Sequence, residues 1–263
     1  MSETPDAGSA GDSPRRDGAG DLAAPRPAFY ALSPGGWRDY WTLLHPPYTL
    51  WHLSYVAIGA ALAPELRVGW WLETTAAFFL AMGVAAHALD ELNGRPLRTR
   101  IPRGVLIGLA LVGLGGALAI GVHGAVAATP WIWALMPVGA FLVVAYNLEV
   151  AGGWFHSDLW FALAWGGFPV VVAYVAQTGT LSVGAALAAG GCVALSAAQR
   201  ALSTPVRRLR RRVTGVTGSI VLEDGTVEPI DTGTLGYAPE AALRLLSVSV
   251  PLLAAAMIAA KLA

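Results

Sequence analysis

The chain has 263 residues, of which 55% are hydrophobic and 13% charged, with a mean hydropathy of +0.56. Soluble domains carry roughly 25% charged residues, so this composition excludes an ordinary water-soluble globule and points to a protein that crosses a membrane several times. Seventeen basic residues balance seventeen acidic ones, no nucleic-acid partner is expected, and the single Cys192 excludes an internal disulfide or a cysteine-based zinc cluster.

Taken in order, residues 1–27 are rich in Ser, Gly, Ala, Asp, Pro and Arg and lack an apolar block. They predict a disordered tail, because such a segment buries too little surface to offset the entropy of ordering. The tail has no signal-peptide core, so the first hydrophobic helix is expected to act as the insertion signal. Residues 28–47, with Trp37, Tyr40 and Trp41, suit an amphipathic segment lying in the membrane interface.

Apolar runs then follow at about 48–63, 68–90, 104–122, 130–147, 157–177, 181–203 and 240–261. Each is close to the roughly 17–25 residues needed to cross hydrocarbon. The expected fold is therefore an all-α integral membrane protein of about seven transmembrane helices, with a core at 48–212 and a last helix at 240–263. Gly115-Gly116 and Gly190-Gly191 are expected where helix backbones approach closely. Between core and last helix, in 213–239, the β-rich runs around Asp224-Gly225 predict a small hairpin, either capping an opening or tying off a loop.

Arginine sets the expected orientation. Sixteen of the seventeen basic residues are Arg, and ten of these fall within 95–103 and 200–212. The positive-inside rule puts those loops, and the N-terminus, on the cytoplasmic face of a cell or inner membrane, with the C-terminus outside. Trp70, Trp71, Trp131 and Trp133 then mark the outer boundary, and Trp41, Trp51, Trp154 and Trp160 the inner one.

Three cytoplasmic connections hold most of the polar residues of interest. The end of the second run and its loop bring His87, Asp90, Glu91, Asn93, Arg95 and Arg98. Positions 87, 90 and 91, three and four residues apart, share one helix face. The fourth-to-fifth connection brings Tyr146, Asn147, Glu149, His156 and Asp158, and the sixth run brings Gln199, Arg200, Thr204, Arg207 and Arg208. Carboxylates with amides suit Mg²⁺, and arginines suit a diphosphate by bidentate hydrogen bonding.

Structural readings stand beside these. The arginines of 210–212 can serve topology and lipid contact alone, Asp158 can cap a helix, Glu149 can be a solvated loop acid, and His45 and His52 can be interfacial or ligating. Mixed imidazole and carboxylate sets, here His87 and His156 with Asp90, Glu91 or Asp158, also suit Zn or Fe.

The sequence of features resembles the UbiA superfamily of intramembrane aromatic prenyltransferases over roughly residues 43–212. The resemblance is carried by Leu44-His45-Pro46-Pro47-Tyr48-Thr49-Leu50, by His87-x-x-Asp90-Glu91 followed by Arg95-Pro96-Leu97 and Ile101-Pro102-Arg103-Gly104, and by the stretch from Tyr146 through Gly152-Gly153, Asp158, Gly166-Gly167 and Gln177-Thr178-Gly179. It implies a helical bundle with a cavity opening to lipid. It also implies Mg²⁺-dependent transfer of an isoprenyl group from a prenyl diphosphate to a lipophilic aromatic or lipid acceptor.

The resemblance implies Asp90, Glu91 and His87 as the catalytic set, with Asp90, Glu91, Glu149, His156 and Asp158 as metal ligands. Substrate would be held by Asn93, Arg95, Arg98, Tyr146, Asn147, Gln199, Arg200 and Arg207. The family's second acidic motif would stand at the end of the sixth run, where this chain reads Ala197-Ala198-Gln199-Arg200-Ala201-Leu202-Ser203-Thr204-Pro205. Diphosphate would then be held by one metal or directly by Arg200, Arg207 and Arg208. Two other readings are a noncatalytic relative that binds isoprenoid or anionic lipid, and a metal-dependent lipid-modifying enzyme.

Overall fold

The computed structural model describes residues 26–263, so the tail expected at 1–27 lies almost wholly outside the described residues. The described chain forms eight helices and one hairpin: α1 Trp37–Leu43, α2 Pro46–Ala61, α3 Val68–Leu92, α4 Arg103–Ala127, α5 Ile132–Asn147, α6 Asp158–Thr178, α7 Val183–Arg212, β1 Ser219–Val221, β2 Val227–Pro229 and α8 Thr232–Leu262. Every apolar run of the sequence is helical. Five of them, α3, α4, α6, α7 and α8, are long and apolar enough to cross a membrane. The other two, α2 and α5, have 16 residues each, about 24 Å of helix against roughly 30 Å of hydrocarbon.

α2 is central. It packs against α8 and the second half of α6, while α7 packs on α6 and α8, and α4 covers α3. Its start combines Pro46 at the first helical position, where the missing N–H costs nothing, with His45 in a left-handed conformation at φ 47°. Trp51, expected at the inner membrane boundary, is instead fully buried beside Tyr55, to whose hydroxyl its indole N–H donates. The short α1 exposes Trp37, Tyr40 and Trp41 and buries Asp39, Thr42 and Leu43.

Two helices contain π turns, at Phe79–Ala86 in α3 and Ala162–Gly167 in α6. Each wide turn is met by a neighbouring helix at a glycine. A Cβ on Gly113 of α4 would sit 2.7 Å from the Leu80 carbonyl oxygen, and one on Gly166 would sit 2.5 Å from that of Cys192 in α7. Of the two glycine pairs expected at close approaches, Gly116 meets the Leu80 side chain, 3.0 Å from a Cβ placed there, while Gly115, Gly190 and Gly191 face open space.

The hairpin forms as expected, with Ile220 opposite Glu228 and Gly225 at φ 84° in the turn. Its strands are exposed along their length and add nothing to the cavity described below. α8 begins at Thr232, eight residues ahead of the apolar run, because Asp231 caps it by accepting from the Thr234 N–H at 2.7 Å and hydroxyl at 2.9 Å. Those bonds hold the Asp231 carboxyl below its ordinary value.

Candidate functional site

At one end of the bundle the start of α2, the ends of α3, α5 and α7, the 148–157 connection and residues 27–30 enclose a polar cavity of about 560 Å³, within the usual size of ligand sites. It contains most of the residues singled out from sequence: His87, Asp90, Asn93, Arg95, Arg98, Tyr146, Asn147, Glu149, His156, Gln199, Arg200 and Arg207. It also contains residues the sequence did not assign to a site, among them Tyr30, Tyr48, Ser203 and Arg211, and it recruits both His45 and His52.

Glu91 is the main correction. It lies next to Asp90 but is fully buried outside the cavity, where its carboxylate accepts from the Leu97 N–H (3.0 Å), the Thr99 N–H (2.9 Å) and the Thr99 hydroxyl (2.8 Å). Adjacent helical positions point about 100° apart, so one acid reaches the cavity and the other organises the loop. Arg95 serves the same loop: at φ 53°, it donates from Nη1 to the carbonyls of Thr99 (3.1 Å) and Ile101 (2.7 Å). Asp39 of α1 completes the loop's support by accepting from the Arg100 N–H at 3.0 Å.

Asp158 is likewise absent from the cavity wall. Its exposed carboxylate pairs with Arg200 Nε at 2.8 Å, and the cap of α6 is Ser157, which accepts from the Trp160 N–H. Glu149 reaches the rim from a left-handed residue at φ 52°. Asp90 and Glu149 are thus the acids that line the cavity. Among the described residues no group of three or more His, Cys, Asp or Glu is placed to hold a metal ion. Of the metal ligands implied by the family resemblance, Glu91 and Asp158 are taken up by structural partners, while Asp90, Glu149 and His156 line the cavity.

Three imidazoles on the wall share one arrangement. His45 Nδ1 lies 2.7 Å from the Leu43 carbonyl oxygen, His87 Nδ1 3.0 Å from that of Gly83, and His156 Nδ1 3.0 Å from that of Tyr146. A carbonyl only accepts, so Nδ1 carries the proton in each neutral ring and Nε2 keeps its lone pair. His45 stacks near His87 with ring centroids 4.1 Å apart. Burial, with His87 beside it, holds His45 well below its ordinary value of 6.5, so it is neutral at pH 7. Burial next to Tyr48 raises the Tyr30 phenol well above its ordinary value of 10.0. His52 and Gln199, both buried, bond at 3.0 Å, and Asn93 ties α3 to α5 by donating to the Asn147 carbonyl at 3.3 Å.

The basic side of the cavity comes chiefly from α7. Arg207 donates to the Ser203 and Thr204 hydroxyls, both at 3.1 Å, and Arg211 donates through Nε to the Pro27 carbonyl at 3.2 Å. Arg210 is turned away and paired with Glu240, and exposed Arg208 is not part of the wall.

A second cavity of about 100 Å³ lies between α3, α4, α5 and α6, lined by apolar side chains including Phe78, Met82, Leu118, Met136 and Phe168. Trp165, on the π turn of α6, lines both cavities. The opposite end of the bundle is closed by structural bonds. Arg67 and Gln177 exchange backbone and side-chain hydrogen bonds, and Lys261 donates to the Ala63 carbonyl at 2.8 Å. No family model, curated protein or solved structure matches this chain.

Proposed function

We propose that the chain is a membrane-embedded transferase of the UbiA type, moving an isoprenyl group from a prenyl diphosphate to a lipophilic aromatic or lipid acceptor. In this reading all seven apolar helices lie within the bilayer, and the polar cavity opens on the cytoplasmic side of the membrane.

The observation that carries the reading is Trp165, which forms a wall shared by a cavity rich in guanidinium groups and an apolar one. Adjoining cavities of opposite polarity suit an amphiphile with an anionic head and a hydrocarbon tail. The reaction breaks the bond from the isoprenyl C1 to the diphosphate oxygen, and the electron pair leaves on the diphosphate. Fixed guanidiniums stabilise that developing charge. The apolar cavity keeps water from the allylic carbon until it bonds to the acceptor. The acceptor's proton passes to a base, for which the Nε2 lone pairs of His45, His87 and His156 are available.

Purified protein in lipid nanodiscs, supplied with C10 to C20 prenyl diphosphates and a panel of aromatic and lipid acceptors, is expected to release pyrophosphate and form a prenylated product. Absence of product across the panel would count against the transferase. The second reading, a noncatalytic isoprenoid-binding protein, is favoured by the commitment of Glu91 and Asp158 to structural partners. It would show as stable binding without turnover.

A further inference from the structure

We infer that this cavity recognises diphosphate directly through a column of arginines on α7, Arg200, Arg207 and Arg211, and that the recognition needs no metal ion. The inference rests on the reading of the cavity as a prenyl-diphosphate site. The three positions are separated by seven and four residues, so they stand one above another on a single helix face. Ser203, on the same face, is buried and positions Arg207 through its hydroxyl. Arg207 lies within electrostatic range of both Arg200 and Arg211, and Asp90 is the acid of the wall that faces Arg207 and Arg211 without reaching ion-pair distance.

Like charges brought together in a partly enclosed space are costly unless an anion compensates them. Among the described residues neither Arg207 nor Arg211 has a carboxylate partner at ion-pair distance, and Arg200 uses only its Nε on Asp158. Their remaining N–H groups form the planar donor sets that match phosphate oxygens bidentately. The column starts at Arg200, within the 197–205 stretch where the resemblance would place a second acidic, metal-binding motif. The acids that would complete a metal site, Glu91 and Asp158, are held by backbone amides and by Arg200. Direct charge pairing therefore replaces metal bridging, and the same chemistry would also accept the phosphate of a lipid headgroup.

The test is calorimetric titration of the detergent-solubilised full chain with sodium pyrophosphate, in excess EDTA and separately in Mg²⁺. Saturable binding in EDTA is expected, weakened roughly tenfold or more by Arg207→Met and unchanged by Arg208→Met, which removes the same charge outside the cavity. Asp90→Asn is expected to leave the affinity equal or higher, since it removes a negative charge from the wall. Binding that requires Mg²⁺ and disappears in Asp90→Asn would overturn the inference while leaving the prenyl-diphosphate reading intact. No binding in either condition would overturn both. Bound pyrophosphate displaced as readily by nanodiscs of phosphatidylglycerol as by unlabelled pyrophosphate would overturn the diphosphate assignment in favour of a lipid phosphate.

Discussion

Residues 95–103 and 200–212 are both arginine-rich, and both reach the same cavity, but their guanidiniums are used differently. In the first stretch Arg95 folds back on the Thr99 and Ile101 carbonyls, while buried Glu91 takes up the loop's N–H groups. The charge there is used to fix a turn containing two left-handed residues, Arg95 and Arg98. In the second stretch the backbone is helical, with Pro205 within it, and the side chains of Arg207 and Arg211 are held by a few hydroxyl and carbonyl contacts and keep donors for a ligand. The contrast is between Arg95, committed to an irregular turn, and Arg207 and Arg211, which keep donors on a helix face; Arg210 of the same helix is instead paired with Glu240.

The largest expected effect is on the first stretch. Glu91→Ala leaves the Leu97 and Thr99 donors buried without an acceptor and should destabilise the protein by about 3 kcal/mol or more, since each such group costs roughly 1–3 kcal/mol. A drop of several degrees in the thermal midpoint in detergent would confirm it. The contrast with the second stretch is that Arg207→Met should leave that midpoint unchanged or higher, because it relieves repulsion without orphaning a backbone group. If both variants unfolded alike, the distinction between the two stretches would collapse.

A smaller effect is expected at Trp165. Trp165→Ala opens the partition between the two cavities and should shift preference toward bulkier or longer prenyl diphosphates by a few-fold, about 1 kcal/mol. Competition binding across C10 to C20 chains reads it out.

The smallest concerns pH. His45 has a folded value held below its unfolded 6.5, so below pH 6.5 the unfolded chain binds a proton that the folded chain refuses. Stability contributed by this group is present above 6.5 and declines as pH falls below it. Thermal melts between pH 7 and pH 5 should show that decline, and His45→Gln should lessen it.

Much of the helical architecture was legible because hydropathy marks apolar helices directly, and Asp224-Gly225 marked the hairpin equally well. The π turns were not legible, because one extra residue per turn leaves no periodic trace in runs such as Phe79–Ala86. The cavity was legible in outline, since polar residues at the ends of apolar runs must meet water or one another. Its division of labour was not. Asp90 and Glu91 are neighbours of one chemical kind, and only the path of the 93–101 loop assigns one to the cavity and the other to backbone amides. His45 and His52 joined the wall because the start of α2 lies between α3 and α7, a tertiary placement with no local signature. Trp51 misled because an aromatic residue near a helix end reads as an interface anchor, whereas its indole is satisfied by Tyr55 one turn away.

The most direct measurement for the two adjoining cavities is photolabelling with a prenyl diphosphate that carries a diazirine in its tail, followed by mass-spectrometric mapping of the adducts. Adducts on the apolar wall around Met82, Met136, Trp165 and Phe168, suppressed by excess pyrophosphate and absent in Arg207→Met, are the expected result. Adducts confined to outward-facing positions such as Leu111, Val126 or Leu187, insensitive to pyrophosphate, would contradict the account.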